Sequence, residues 1–221
     1  MESQQATFPG RLAVVLKNVR AVREVYDYIE LGDLKKDLIS ARQALVRHLS
    51  QALQIPDGWR RPYLDDGIRL HPDKKWNVRG KDTIAIVILL PSPVGEEEEG
   101  EDRNASVNLY VPSSWKLRER ECFTDSLRSI LPKAEDWVYV RDDPDGIDPE
   151  YPMGKWIRYE DYADSTGFDT ARFLQAITGA VNEFLQLETG IDRLVEKAKA
   201  VSAVSPLKQS GSQTRRERKP R

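Results

Sequence analysis

Thr83-Ile84-Ala85-Ile86-Val87-Ile88-Leu89-Leu90 is the longest apolar run in the chain, and Pro91-Ser92-Pro93 ends it. The run is rich in β-branched residues, which favour strands. It is too short to span a bilayer and too continuous for a strand with one face in water. We therefore predict a central strand around which the other segments are arranged.

A second strand is predicted at 105–111, just before Pro112. Its residues alternate, so that successive side chains point to opposite faces. One face carries Val107, Leu109 and Val111, and the other carries Ser106, Asn108 and Tyr110. This pattern is typical of a strand that is covered on one side only.

The N-terminal part of the chain has two helical patterns. Leu12, Val15, Val19, Val22, Tyr26 and Ile29 recur every three or four residues and predict a helix over about 10–31. Leu34, Leu38, Ala41, Leu45 and Leu49 predict a second helix that ends before Pro56. With Gly32 ending the first helix and Asp33 capping the second, the two form a helical hairpin. One long helix kinked at Gly32 is the alternative.

The first helix offers a candidate partner-binding surface. It consists of Val15, Val19, Val22 and Tyr26, which would contact a protein partner or a second copy of the chain. The alternative is that this seam packs on the chain's own sheet, because three heptads are few for an independent coiled coil.

The central region is predicted to be rich in turns and short strands. Turns are expected at Asp65-Asp66-Gly67 and His71-Pro72-Asp73. Short strands at 68–70 and 75–78 would bring Trp76 beside the central strand.

The C-terminal half supplies the remaining elements. A helix capped by Ser113 or Ser114 is expected over about 115–131, followed by strands at 137–140 and 155–159. A long final helix begins after Asp169, is interrupted at Gly190 and continues to about Val201.

These elements predict an α+β protein with a mostly antiparallel sheet flanked by helices. The expected organisation is a flexible N-terminus (1–9), a helical hairpin (10–55), an α+β domain (59–203) and a disordered basic tail (206–221).

Composition excludes several classes of site. Cys122 is the one cysteine of the 221 residues and there are two histidines, so a disulfide framework or a zinc site built on several thiolates is excluded. No run reaches transmembrane length, and the stretch from Met1 to Pro9 does not resemble a secretory leader. We expect a soluble, cytoplasmic protein that contacts no membrane and holds no metal or cofactor.

The charge is unevenly distributed. Residues 206–221 carry +5, so the rest of the chain carries −7 of the net charge of −2. The candidate nucleic-acid contacts in this tail are Arg215, Arg216, Arg218, Lys219 and Arg221. A solubilising terminus is the alternative interpretation.

No catalytic motif is recognised. G-x-S-x-G, the Walker glycine loop, G-x-G-x-x-G and H-E-x-x-H are absent from the sequence. The acidic stretch 141–150 fails the spacing of a calcium loop, because Arg141 falls where the first ligand belongs. The acidic stretch 96–102 is interpreted as a solvated loop. We therefore predict no catalytic residue.

The order of helix, short strand, central strand, partner strand, helix and strand resembles the core of PD-(D/E)XK nucleases. In that superfamily a metal-binding aspartate opens the second strand, where this chain has Asp82. In the same superfamily the third strand carries an E-x-K motif. The corresponding strand of this chain, Ser106–Tyr110, lacks it. From Leu34 to Val201 the chain also resembles the C-terminal accessory region of bacterial PD-(D/E)XK-type, defence-associated proteins. That resemblance implies an accessory module and transfers no catalytic residue.

Three functions follow as expectations. The first is a non-catalytic accessory or interaction subunit of a nucleic-acid-linked bacterial assembly, in phage defence. The second is a divergent metal-dependent nuclease that uses Asp82 with loop carboxylates. The third is a cytosolic module that binds a small ligand among Trp76, Trp137 and Trp156.

Overall fold

The computed structural model describes residues 18, 32–64, 67–77, 83–91, 104–130, 137–139, 150–163 and 167–203. In chain order its elements are α1 (Gly32–Ala52), β1 (Trp59–Arg60), β2 (Gly67–Pro72), β3 (Ala85–Leu89), β4 (Ala105–Tyr110), α2 (Leu117–Leu127), β5 (Val138–Tyr139), β6 (Met153–Ile157), a 3-10 helix (Tyr159–Tyr162), α3 (Thr170–Gln186) and α4 (Glu188–Ala203). The α+β class is confirmed. The first predicted helix and the basic tail lie outside the described residues.

The strands form a six-stranded sheet in the order β1-β2-β3-β4-β6-β5. Every neighbouring pair is antiparallel, as the sequence predicts. Strand β3 pairs on both sides, with Ile88 opposite Ile68 of β2 and opposite Val107 of β4. The central position predicted for the 83–90 run is therefore confirmed.

One face of the sheet packs against the helices. Ile86, Ile88 and Leu109 are fully buried there and belong to one core cluster with residues of all four described helices. Among them is α1, which contributes Leu45 and Leu49 of the predicted stripe. Burial of such aliphatic side chains contributes roughly 1.5–3 kcal/mol each, so this layer supplies most of the driving force for folding.

Two predicted helix starts are wrong in detail. Gly32 and Asp33 are both helical residues of α1, so Asp33 is not an N-cap. Helix α2 begins after Lys116 rather than after Ser113 or Ser114. The buried Glu119 explains the second shift, because its carboxylate accepts a hydrogen bond from the Lys116 backbone N–H at 2.9 Å. This bond satisfies a donor that the first turn leaves unpaired.

The C-terminal region forms two helices, whereas one long helix interrupted at Gly190 was predicted. The cap is confirmed, since the carboxylate of Asp169 accepts a hydrogen bond from the Arg172 backbone N–H at 3.0 Å. The break falls at Leu187, and Gly190 lies inside α4. A Cβ at Gly190 would lie 3.0 Å from the Ile130 side chain, so glycine serves close packing here rather than a helix end.

The segment between β2 and β3 differs most from the prediction. His71 and Pro72 belong to β2 rather than to a turn. Of the strand predicted at 75–78, Lys75 and Trp76 form a bend, in which Trp76 has a φ of 59°, and Asn77 forms an isolated bridge with Thr83. A bulky residue in this left-handed region is strained unless its surroundings hold it.

Contacts with α4 hold Trp76 in that conformation. Its ring is 1% exposed, and its Nε1–H donates to Asp192 Oδ1 at 2.8 Å. Lys75 beside it contacts Asp192 and Glu188, each at 3.2 Å, and these carboxylates raise the pKa of the Lys75 amine. The contacts of these two side chains thus fix the bend. Trp76 also lies beside the central strand, as predicted, because its carbonyl accepts a hydrogen bond from the Ile84 N–H.

Asp192→Ala tests this anchor. It leaves the buried indole N–H of Trp76 without an acceptor, so we expect a loss of about 1–3 kcal/mol in unfolding free energy by urea titration. Asp192→Asn is the matched control, because it removes the charge that faces Lys75 but keeps an acceptor oxygen. Its loss should be much smaller than that of Asp192→Ala, because the ion pair with Lys75 is exposed to water. Equal losses in the two variants would show that the indole bond does not hold the bend.

Candidate functional site

The second face of the sheet, here called the open face, carries no residue from a described helix. Ala85 and Val87 of β3 are buried on this face but lie outside the core cluster. The strand residues that share it, by register and alternation, are Gly67, Arg69, His71, Ala85, Val87, Leu89, Ser106, Asn108, Tyr110, Gly154 and Trp156. Within the described part of the chain, the sheet therefore has helices on one side only.

The side chain of Arg69 covers the middle of the open face. Arg69 belongs to β2, yet its guanidinium carbon lies 4.6 Å from the ring centroid of Tyr110 on β4. Because β3 lies between these strands, the side chain must cross over β3. Its Nη2 donates to the Thr83 carbonyl at 2.9 Å, and its Nε is buried without a hydrogen-bond partner. The aliphatic part of Arg69 thus shields Ala85 and Val87 from water.

Aromatic rings occupy both ends of this face. Tyr110 contacts Tyr151, with ring centroids 5.6 Å apart, so Arg69, Tyr110 and Tyr151 form a row across the sheet. At the other end Trp156 lies opposite Ser106 in the register. Trp156 is 47% exposed, whereas a tryptophan on a soluble protein is mostly buried.

Small and polar side chains separate the two ends. Asn108 donates from Nδ2 to Ser106 Oγ at 2.7 Å. A Cβ on the facing Gly154 would come within 2.1 Å of its amide oxygen, so a side chain there would have to displace the Asn108 amide. Asn108 is 8% exposed, which corrects the prediction that this side of β4 faces water throughout. The side chains of Asn108 and Ser106 are thus held in place by their neighbours.

The open face lacks carboxylates among its strand residues. The set defined above contains Arg69 and His71 but neither aspartate nor glutamate. The chain as a whole has 36 acidic residues against 34 lysines and arginines. Glu150 directly precedes Tyr151 and is the carboxylate closest to that residue along the chain. The face is therefore less acidic than the chain that carries it.

The predicted site residues lie elsewhere. Val15, Val19, Val22 and Tyr26 are outside the described residues, and so are Arg215, Arg216, Arg218, Lys219 and Arg221. Asp82 is also outside them. The partner seam, the basic tail and the nuclease-like aspartate thus stay predictions.

The three tryptophans of the predicted ligand pocket lie on different sides of the sheet. Trp76 is anchored to α4 by Asp192, and Trp137 contacts Phe184 of α3 at a ring distance of 4.5 Å. Trp156 lies on the open face, opposite to the core. Trp76 and Trp137 are thus core residues, whereas Trp156 is not.

The described ranges contain neither a candidate metal cluster nor a candidate membrane span. No group of three histidine, cysteine, aspartate or glutamate side chains is placed there to hold a metal ion. None of the helices in those ranges has the length and apolar character to cross a membrane.

No family model, curated protein or solved structure matches this chain. The functional argument therefore depends on the geometry of the open face. Sequence reasoning did place Ser106, Asn108 and Tyr110 on one side of β4. It missed Arg69, whose role depends on the order of β2, β3 and β4, and it assigned Trp156 to a pocket.

Iodide quenching of fluorescence tests the exposure of Trp156. The other four tryptophans, Trp59, Trp76, Trp115 and Trp137, are at most 9% exposed. We expect an iodide-accessible fraction in the wild-type emission that disappears in Trp156→Phe. An accessible fraction that this substitution leaves unchanged would show that another indole faces water and that Trp156 is covered.

Proposed function

We propose that this protein is a non-catalytic interaction subunit of a nucleic-acid-linked assembly, and that the open face of its sheet is a contact surface. The observation that carries the proposal is the 47% exposure of Trp156 on β6, the strand next to the edge of the sheet, on a face whose other strand residues are buried or half-buried. A tryptophan in that position loses contact with water only when something binds over it.

The composition of the face supports this role. Residues that dominate binding free energy at interfaces are enriched in tryptophan, tyrosine and arginine. Trp156, Tyr110, Tyr151 and Arg69 supply these types on one side of one sheet. Arg69 is held in place by Tyr110 and the Thr83 carbonyl, so part of the conformational entropy that binding costs is already lost in the free protein.

Two predicted surfaces fit the same role. The seam of Val15, Val19, Val22 and Tyr26 would hold a protein partner or a second copy of the chain. The basic tail would contact phosphates. In this proposal the chain acts in the cytoplasm of a bacterium, in phage defence, as the resemblance to accessory regions implies.

Site-specific photo-crosslinking tests the contact surface. A diazirine-bearing amino acid replaces Trp156 in one variant and Leu117 in another, in cells that naturally produce the protein. Leu117 is the matched control, because it is 63% exposed but lies on α2. We expect a discrete crosslinked species from position 156 and none from position 117.

The crosslink is informative whichever partner is captured. Digesting the species with protease or nuclease identifies its class. Equal, diffuse labelling at both positions, or no species from position 156, would contradict the proposed contact surface.

The nuclease alternative has its own test. The described residues bring no carboxylate cluster together, and the strand of Ser106–Tyr110 lacks E-x-K. Purified protein incubated with plasmid and Mg²⁺ or Mn²⁺ should leave the plasmid intact. Cleavage that disappears in Asp82→Ala would establish the nuclease instead.

A further inference from the structure

We propose that the bend of Lys75 and Trp76 positions Arg69 on the open face, so that α4 and the contact surface are conformationally coupled through the sheet. This inference rests on the proposed function, because it names how that surface is regulated. Three consecutive contacts carry it. Asp192 of α4 bonds to the bend, the bend bonds to Thr83, and Thr83 bonds to Arg69. Asp192 and Trp76 are thus positioning residues that act on the surface through Arg69.

The first contact keeps the bend in a conformation that is unfavourable by itself. The φ of 59° at Trp76 lies in the left-handed region, which disfavours a bulky side chain. Trp76 is held by its hydrogen bond to Asp192 at 2.8 Å and by an edge-on contact with Trp59 at a ring distance of 5.0 Å. Lys75 adds ion pairs to Asp192 and Glu188. Without the Asp192 contacts the backbone of Trp76 relaxes towards a negative φ, which gives the bend a second state.

The second contact joins the backbone of the bend to the residues that lead into β3. The Trp76 carbonyl accepts from the Ile84 N–H at 3.0 Å, and the Lys75 carbonyl accepts from the Thr83 hydroxyl at 3.2 Å. Asn77 also forms an isolated antiparallel bridge with Thr83. Rotation about φ of Trp76 turns one of these two carbonyls relative to the other, so the two bonds cannot both keep their geometry. A change of state at the bend therefore displaces Thr83.

The third contact carries this displacement to the open face. Arg69 Nη2 donates to the Thr83 carbonyl at 2.9 Å, while the guanidinium carbon lies 4.6 Å from the ring centroid of Tyr110. These two contacts fix the guanidinium across β3. When Thr83 moves, the guanidinium loses this acceptor and shifts on the Tyr110 ring, so the cover of the buried Val87 changes as well. The surface that a partner meets thus depends on the state of the bend.

Coupling of this kind acts in both directions, because linkage between two sites is reciprocal. A partner that draws Arg69 towards itself weakens the bond to Thr83 and, through it, the hold on Trp76. Release of Trp76 from Asp192 in turn changes the position of Arg69. The helix side of the sheet can therefore regulate binding at the open face, although no described helix contributes a residue to that face.

Exchange of the Trp76 indole proton with water tests the coupling from the open face. The full chain would carry isotope-labelled tryptophan, and the rate would be expressed relative to the buried Trp115 indole, which reports unfolding of the whole domain. Arg69→Met keeps an aliphatic side chain over β3 but removes the guanidinium, so we expect the relative rate to rise about fivefold or more. Arg172→Met is the matched control, because Arg172 also stacks on a tyrosine, Tyr162, at 5.4 Å. It should change the relative rate less than about twofold.

The fluorine resonance of Tyr110 in protein labelled with 3-fluorotyrosine tests the coupling from α4. We expect Asp192→Ala to shift this resonance, and Asp192→Asn, which keeps an acceptor for the indole, to shift it less. The shift should disappear when Arg69 is also changed to methionine, because this double-mutant cycle removes the connecting residue. Glu196→Ala removes an exposed carboxylate of the same helix and should leave the resonance unchanged.

Two results would overturn the inference. One is a Trp76 exchange rate that rises only in parallel with that of Trp115 in Arg69→Met, because the substitution would then act on global stability. The other is a Tyr110 resonance that ignores Asp192→Ala, or that shifts equally with and without Arg69.

Failure of this inference is distinguishable from failure of the proposed function, because both measurements use the protein without a partner. A crosslink from position 156 without coupling would support the contact surface and contradict its regulation by the bend. Coupling without a crosslink would support the positioning of Arg69 by the bend and contradict the contact surface.

Discussion

Strand β3 is apolar on both faces, and the described helices cover only one of them. This mismatch is the constraint on which the rest of the structure depends, because Ala85 and Val87 would otherwise be in water. Arg69 resolves it by laying its aliphatic chain over β3 and stacking its charged end on Tyr110. Among the described residues, the side chain that lies over this part of the second face is thus the long polar Arg69 rather than one from a helix.

This solution gives the two faces of the sheet different physical roles. The helix side is a conventional core, in which Phe173, Phe184 and the isoleucines of β3 exclude water. The open side presents a guanidinium, two tyrosines and a half-exposed tryptophan around a polar centre. Its polar groups bond within the protein, since Asn108 donates to Ser106 and Arg69 to the Thr83 carbonyl, and Trp156 still offers exposed aromatic area to a ligand.

Hydrophobic periodicity predicted much of the fold. The continuous run identified β3, the alternation identified β4, and the stripes of α1 and α3 agree with the observed burial of Leu49 and Phe173. Periodicity reports only which side of an element is apolar. It could not show that Trp76 adopts a positive φ, since a hydrogen bond to Asp192 from a distant helix holds it there.

The candidate site was harder to predict for a related reason. The contact between Arg69 and Tyr110 joins strands that are not neighbours, so it exists only once β3 is inserted between them. Tryptophan is also ambiguous in sequence, because it serves equally in a core and at an interface. Trp137 and Trp156 have similar local sequences, yet one lies under α3 and the other on the open face.

Residue-resolved carbene footprinting tests the central claim, that the open face is where this protein binds its ligand. The full chain would be labelled alone and in the complex that crosslinking at position 156 captures. We predict that labelling at Trp156 and Tyr151 falls in the complex, while labelling at the exposed Leu117 and Tyr63 does not change. Protection of Leu117 or Tyr63 with unchanged labelling of Trp156 would contradict the account.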